Sequence, residues 1–208
     1  MFTGIVEQTG TVTGADWFDG HLKITIQPQQ MWSDLGLGES ISCNGACLTV
    51  IRWDDRSFEV ELSQESVNKT APLWNPGDTV NLERAMPASG RFGGHVVTGH
   101  VDGVGEVLDV QVQPGAYIIK VRVPDSFARY LIPKGSITVN GVSLTVVDVG
   151  GPAGSSDDLN TNEFTLWIIP HTLEVTSLKG IKAGDLVNLE YDVLAKYLER
   201  LTLVGGAK

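Results

Sequence analysis

Apolar and β-branched residues come in short runs along most of the chain. Val6–Val12, Leu22–Ile26, Ser40–Cys43, Leu48–Ile51, Phe58–Leu62 and Thr79–Leu82 are predicted as strands. Tyr117–Val123, Ile137–Val139, Leu144–Val149, Phe164–Ile168 and Leu186–Leu189 continue the series. Glycine, asparagine and aspartate punctuate these runs, as strand ends require. Asn44 with Gly45, and Asn140 with Gly141, are hairpin-turn signals. Pro28 and Pro124 each open a short segment expected to be helical. Many short strands at this spacing point to an all-β chain of small closed barrels, which have no unpaired edge. The C-terminus departs from this pattern. Val193, Leu194, Tyr197, Leu198 and Leu201 form a helical stripe, with Lys196, Glu199 and Arg200 opposite. Such a stripe packs either on the chain's own barrels or on the same helix of another copy.

The pattern is written twice. Thr3 to Val12 aligns with Thr98 to Val107 at an offset of 95, and Cys43 to Val50 with Val139 to Val146 at an offset of 96. Phe58 to Thr70 aligns with Phe164 to Thr176 at an offset of 106, and Pro76 to Glu83 with Ala183 to Glu190 at an offset of 107. The order never changes and the offset grows mainly once. That growth places an insertion in the second copy at 150–157, whose Gly, Ser and Asp content is that of an exposed loop. Repeats of this length are domains and not solenoid units.

Composition narrows the function. Of 208 residues, 42% are hydrophobic and 19% charged, enough apolar material for packed cores. The net charge of −10 argues against nucleic acid and against anionic membranes. Neither a targeting signal nor a membrane-length apolar stretch is read in the chain. Cys43 and Cys47, read within one extended strand, would stand roughly 13 Å apart at about 3.3 Å per residue, beyond disulfide reach. Free thiols fit a cytoplasmic protein. Their spacing alone is a weak metal signal, and no metal site is expected. Dinucleotide, P-loop, HExxH and GxSxG signatures are not found in the sequence.

Positions shared by the copies read as scaffold, and positions that differ as candidate chemistry. Thr49 and Thr145, and Ser66 and Thr172, keep a polar group in both copies. They make either structural hydrogen bonds or contacts to the same kind of polar ligand. Cys47 faces Ser143 in the alignment, Ile5 faces His100, and Glu65 faces His171. Cys47 reads as a buried small hydrophobe or as a nucleophile. His95 and His100 lie in a glycine-rich junction between the units, where ligand sites are favoured. Lys134 is either a solvated lysine or an anchor for an anionic or carbonyl-bearing ring.

Five blocks, Met1 to Glu7, Asn44 to Val50, Gly93 to Asp102, Asn140 to Val146 and Gly184 to Glu190, resemble the riboflavin synthase family. The resemblance runs from Met1 to the C-terminal helix. It implies two six-stranded Greek-key lumazine-binding barrels, at 1–96 and 97–190, and a C-terminal helix and tail at 191–208 that makes a homotrimer. It implies a cofactor-independent dismutation of two 6,7-dimethyl-8-ribityllumazine molecules by transfer of a four-carbon unit. The products are riboflavin and 5-amino-6-ribitylamino-uracil. The site is implied to form between the N-terminal barrel of one subunit and the C-terminal barrel of the next.

Residue by residue, the resemblance implies catalytic roles for Cys47, Ser143, His100, Thr145, Asp192 and Phe2. Cys47 would assist addition at C7 of one lumazine. Ser143, His100 and Thr145 would flank the other and help remove a proton from its acidic C7 methyl. Phe2 would cover the ring, and Asp192 would lie near the site. Ligand contacts are implied for Thr3, Gly4, Ile5 and Val6, for Cys47, Leu48 and Thr49, and for Leu62, Ser63, Gln64, Glu65, Ser66 and Val67. They are also implied for Gly99, His100 and Val101, for Lys134, for Ser143, Leu144 and Thr145, and for Ile168, Ile169, Pro170, His171, Thr172 and Leu173. Backbone groups on these strands would bind the pyrimidinedione edge, and Ser66 and Thr172 the ribityl hydroxyls.

Overall fold

The computed structural model describes residues 1–152, 154 and 156–205. Among the described residues, twelve strands close into two antiparallel barrels of identical order. The first contains β1 (Gln8–Phe18), β2 (His21–Pro28), β3 (Ser40–Cys43), β4 (Ala46–Trp53), β5 (Phe58–Ser63) and β6 (Thr79–Arg84). The second contains β7 (Gly103–Gln113), β8 (Ala116–Arg122), β9 (Ser136–Val139), β10 (Val142–Val149), β11 (Glu163–Ile168) and β12 (Leu186–Tyr191). Around each ring the order is first, second, fifth, fourth, third, sixth. A three-strand meander is thus flanked by strands that arrive by crossing over, as in a Greek key. In β5, Phe58, Val60 and Leu62 point into the barrel while Glu61 and Ser63 face outward, and Phe164, Leu166 and Ile168 do the same in β11. Each barrel encloses its own apolar core.

Several local expectations are corrected. Strand β1 starts at Gln8 rather than Val6, and it runs on to Phe18 through a register shift between Val12 and Gly14. Its counterpart β7, which was not among the predicted strands, shifts between Val107 and Asp109. Such bulges let a long strand bend around a narrow barrel. No helix follows Pro28, and Pro124 opens only a 3-10 turn, Asp125–Tyr130. Two short helices were missed: α1 (Gln64–Lys69) and α2 (Pro170–Val175). The contact blocks at 62–67 and 168–173 are therefore strand ends running into helices. Cys43 and Cys47 flank the β3–β4 turn and are not on one strand. Cys43 pairs with Ala46 and Cys47 with Ser42, so the thiols project to opposite faces. Both are free. Of the insertion loop, Ala153 and Ser155 lie outside the described residues, as do the tail residues 206–208.

Helix α3 (Val193–Gly205) follows β12. Asp192 caps it, its carboxylate accepting the Leu194 N–H at 2.9 Å. The polar side holds it to the second barrel. Lys196 pairs with Asp102 at 2.8 Å, Arg129 with Glu199 at 2.7 Å, and the Tyr130 hydroxyl donates to Glu199. The apolar stripe of Leu194, Tyr197, Leu198 and Leu201 is left exposed. Among the described residues, no helix is long and apolar enough to cross a membrane.

The barrels meet along a seam of approximate two-fold symmetry. The Asn44 side-chain oxygen accepts the Asn81 N–H, and the Asn140 oxygen accepts the Asn188 N–H, both at 2.8 Å. The asparagines of β6 and β12 then cross over. Asn81 donates from its amide to the Asn140 carbonyl at 2.8 Å, and Asn188 to the Asn44 carbonyl at 2.9 Å. The two hairpin turns touch. A side-chain carbon on Gly45 would stand 2.9 Å from the Gly141 nitrogen, so the Asn-Gly signal serves the contact as well as the turn.

Candidate active site

Each repeat begins with an extended segment, and each segment lies on the other repeat's barrel. The Ser143 N–H donates to the Gly4 carbonyl at 2.7 Å, and the Cys47 N–H donates to the Gly99 carbonyl at 2.8 Å. The segments also pair with one another through Phe2 and Val97. Both glycines are in the left-handed region, with φ of 77° and 80°. A β-carbon on Gly4 would come within 2.6 Å of Ser143 Cβ, and one on Gly99 within 2.5 Å of Cys47 Cβ. Any side chain there would lift the segment off the strand.

A buried glutamate anchors each segment. Glu83 accepts the Thr3 N–H at 2.6 Å, the Thr3 hydroxyl at 2.9 Å and the Gly4 N–H at 2.9 Å. Glu190 accepts the matching groups of Thr98 and Gly99 at 2.7, 2.6 and 2.9 Å. Charge-assisted bonds of this number hold a backbone firmly. Burial pushes the Glu83 carboxyl above its usual range, and the Thr3 and Gly4 donors oppose that rise. Sequence reasoning named neither glutamate as part of the site. Their signal was present in the repeat, where both end the same aligned block.

Two similar surfaces result. The first carries Cys47 and Thr49 on β4, Ser63 to Ser66 at the start of α1, and Gly99 and His100 from the linker, with Val67 and Val101 packed against the core beneath. The second carries Ser143 and Thr145 on β10, Ile169 to Thr172 at the start of α2, and Gly4 and Ile5, with Val6 packed against the core beneath. Cys47 and Ser143 are partly exposed, and Thr49 and Thr145 are exposed. Ser63 caps α1 by accepting the Ser66 N–H at 3.1 Å, and the Ser63 and Ser66 hydroxyls meet at 3.0 Å. Lys134, exposed and with φ of 66°, donates its N–H to the Val146 carbonyl at the end of the second surface.

Some expected contact residues turn inward. The side chains of Leu48, Leu62, Ile168 and Leu173 belong to the barrel cores, which leaves only their backbone for a ligand. Phe2 is fully buried at the seam. Its ring would meet a β-carbon on Gly99 at 3.0 Å, so within one chain it props the segment beside Cys47. His100 is exposed and follows Gly99. One chain thus places it on the Cys47 side, apart from the Ser143 strand with which it was grouped. His95 lies opposite Thr3, and its Nδ1 is 2.8 Å from Ser143 Oγ. Burial pulls its imidazole below the usual range, with Asp192 and then Glu190 opposing. Among the described residues, no group of three or more His, Cys, Asp or Glu could hold a metal ion.

A duplicated six-stranded barrel with one polar surface per repeat defines a class of paired small-ligand binders. The lumazine-binding domain model matches twice, at residues 3–85 and 98–192. The riboflavin synthase of Photobacterium phosphoreum is 42% identical over 98% of this chain and 90% of its own length. That of Mycobacterium tuberculosis is 41% identical over 99% of this chain and 100% of its own, and that of Bacillus subtilis 39% over 96% and 89%. The chain belongs to the riboflavin synthase family. Among solved structures, LumP in complex with 6,7-dimethyl-8-(1'-D-ribityl) lumazine shares the fold. Its TM-score is 0.77 at 23% identity, covering 92% of this chain and 99% of LumP. The riboflavin complex of LumP gives a TM-score of 0.76 at 25% identity, with the same coverage.

Proposed function

We propose that this chain is a riboflavin synthase, converting two 6,7-dimethyl-8-ribityllumazine molecules into riboflavin and 5-amino-6-ribitylamino-uracil. The observation that carries this reading is a pair of matched surfaces, one with Cys47 where the other has Ser143, in a chain about 40% identical over its length to curated synthases. The reaction uses two copies of one molecule in two roles, donor and acceptor of four carbons. Atoms and electrons balance between the copies, so no outside oxidant is required. Cys47 assists addition at C7 of one lumazine, and Ser143 and Thr145 face the C7 methyl of the other. Strand-edge and helix-start backbone groups bind the pyrimidinedione edges, and Ser66 and Thr172 the ribityl chains.

His100 reaches Ser143 and Thr145 only when a second copy brings its Cys47 surface opposite them. The exposed α3 stripe supplies a contact for that assembly, and we assign it to a homotrimer. Both thiols are free, which supports a cytoplasmic location. Incubating the purified chain with the dimethyl-ribityllumazine alone tests the reading. Riboflavin and the diaminouracil should form in equal amounts. Unchanged substrate in a folded, trimeric sample would instead mark a non-catalytic binding protein. Removing residues from Val193 onward should abolish assembly and activity together; a fully active monomer would refute the site between subunits.

A further inference from the structure

The resemblance gives His95 no role, yet its side chain makes the one bond that most clearly separates the two surfaces. Its Nδ1 lies 2.8 Å from Ser143 Oγ. Its backbone N–H is held by the Thr3 carbonyl at 3.1 Å, and Thr3 is fixed by Glu83. The linker has no slack here, because a β-carbon on Gly94 would stand 2.7 Å from Ser143 Oγ. His95 Nε2 is buried without a hydrogen-bond partner. Its charge environment is Asp192, beyond the end of β12, and Glu190 within β12. Among the described residues, no histidine side chain bonds to Cys47, the symmetric counterpart of Ser143.

We propose that His95 is a positioning residue that orients and polarises the Ser143 hydroxyl, making the Ser143 surface the half of the site that takes the methyl proton. The proposal rests on the riboflavin synthase reading. In the step, the C7-methyl C–H bond breaks and its electron pair delocalises into the lumazine ring. Ser143 Oγ takes that proton as it passes its own to His95 Nδ1. The Asp192 and Glu190 carboxylates stabilise the imidazolium that forms. Protonation of the ring system later in the cycle returns the proton.

The test compares full-chain His95→Asn, Ser143→Ala and the double variant with the unaltered protein. Asparagine keeps a polar atom near the Nδ1 position but does not hold a proton at neutral pH. Four quantities are read: melting temperature, lumazine affinity by fluorescence titration, riboflavin formation, and deuterium uptake at the C7 methyl of the bound dimethyl-ribityllumazine in D2O. His95→Asn should melt and bind close to the unaltered protein while methyl exchange and turnover both fall at least tenfold. The double variant should be no slower than the slower single. Undiminished exchange in a folded His95→Asn protein, or losses that multiply in the double variant, overturn the assignment. Should asparagine disrupt the seam, His95→Gln is read by the same criteria. An unaltered protein that exchanges the methyl but makes no riboflavin sinks the synthase reading alone. Normal riboflavin formation by the His95 variants sinks the His95 proposal alone.

Discussion

The two barrels use the same scaffold and present different side chains. Each crosses its leading segment onto the other, clamps it with a buried glutamate, and lays a left-handed glycine carbonyl on the N–H of Cys47 or Ser143. These shared features hold backbone and carry no chemistry that distinguishes the surfaces. The differences lie in side chains: a thiol against a hydroxyl, and a histidine bonded to the hydroxyl alone. A duplication that kept the scaffold could thus change one surface without unsettling the other. The seam explains why. Its backbone contacts tolerate no β-carbon at the leading glycines, whereas the Cys47 and Ser143 side chains are partly open to solvent.

Exchanging the two reagents is the strongest way to break the comparison. Cys47→Ala should lower turnover by about 10²–10³-fold with the fold kept; near-normal rates would remove its assigned role. The double exchange Cys47→Ser with Ser143→Cys asks whether the residues or their surroundings set the roles. His95 stays beside position 143, now a thiol, so the exchanged protein should be at least as impaired as Cys47→Ser alone. Recovery to the unaltered rate would show that the two surfaces are interchangeable.

The clamps test the shared half of the comparison. Glu83→Gln and Glu190→Gln each turn one accepting oxygen into a donor facing backbone donors. Each should cost about 2–3 kcal/mol, or a fall in melting temperature of roughly 4–12 °C at this chain length. The two losses should agree within about 0.5 kcal/mol if the clamps are equivalent. Activity should also fall, because the segments rest on the reagents: Glu190 holds the one on Cys47, and Glu83 the one on Ser143. A melting shift confined to one variant would show that one barrel alone depends on its leading segment.

Most strands and the duplication were legible because short β-branched runs and Asn-Gly turns are local signals. The crossing of the leading segments was not. It rests on backbone bonds such as Ser143 to Gly4, between residues far apart in sequence, and no side-chain pattern announces a backbone bond. Helices α1 and α2 have six residues each, too few to show a helical period. The cysteines were misplaced on one strand although Asn44 and Gly45 between them marked the turn. For α3 the stripe was correct, and the surprise is which face the barrel takes. Ion pairs through Lys196 and Glu199 hold the polar side inward, leaving the apolar side exposed.

The smallest expected effect concerns a carboxylate that, among the described residues, is buried with two cationic partners in the second barrel and not in the first. Glu163, in β11, is almost wholly buried. It pairs with Lys120 at 2.8 Å and Arg122 at 3.3 Å and accepts the Asn160 side-chain amide at 2.8 Å. Burial alone would push its carboxyl up, but Lys120, Asn160 and Arg122 outweigh that and hold it down at about 2, against an ordinary 4.5. A carboxyl depressed in the folded state adds stability that is full above its unfolded pKa. That stability is lost as pH falls from about 4.5 towards 2. Allowing for partly exposed partners, the contribution is about 2 kcal/mol. Glu59 pairs with Lys23 and Arg52 in the first barrel, but at 3.9 and 3.4 Å. Melting temperature followed from pH 6 down to the acid limit should therefore decline less steeply in Glu163→Gln than in the unaltered protein. Equal slopes in the two proteins would show that acid sensitivity comes from groups other than Glu163, with Glu83 excluded as the cause. The Glu83 carboxyl is raised on folding, so its contribution is greatest at low pH and is lost as pH rises.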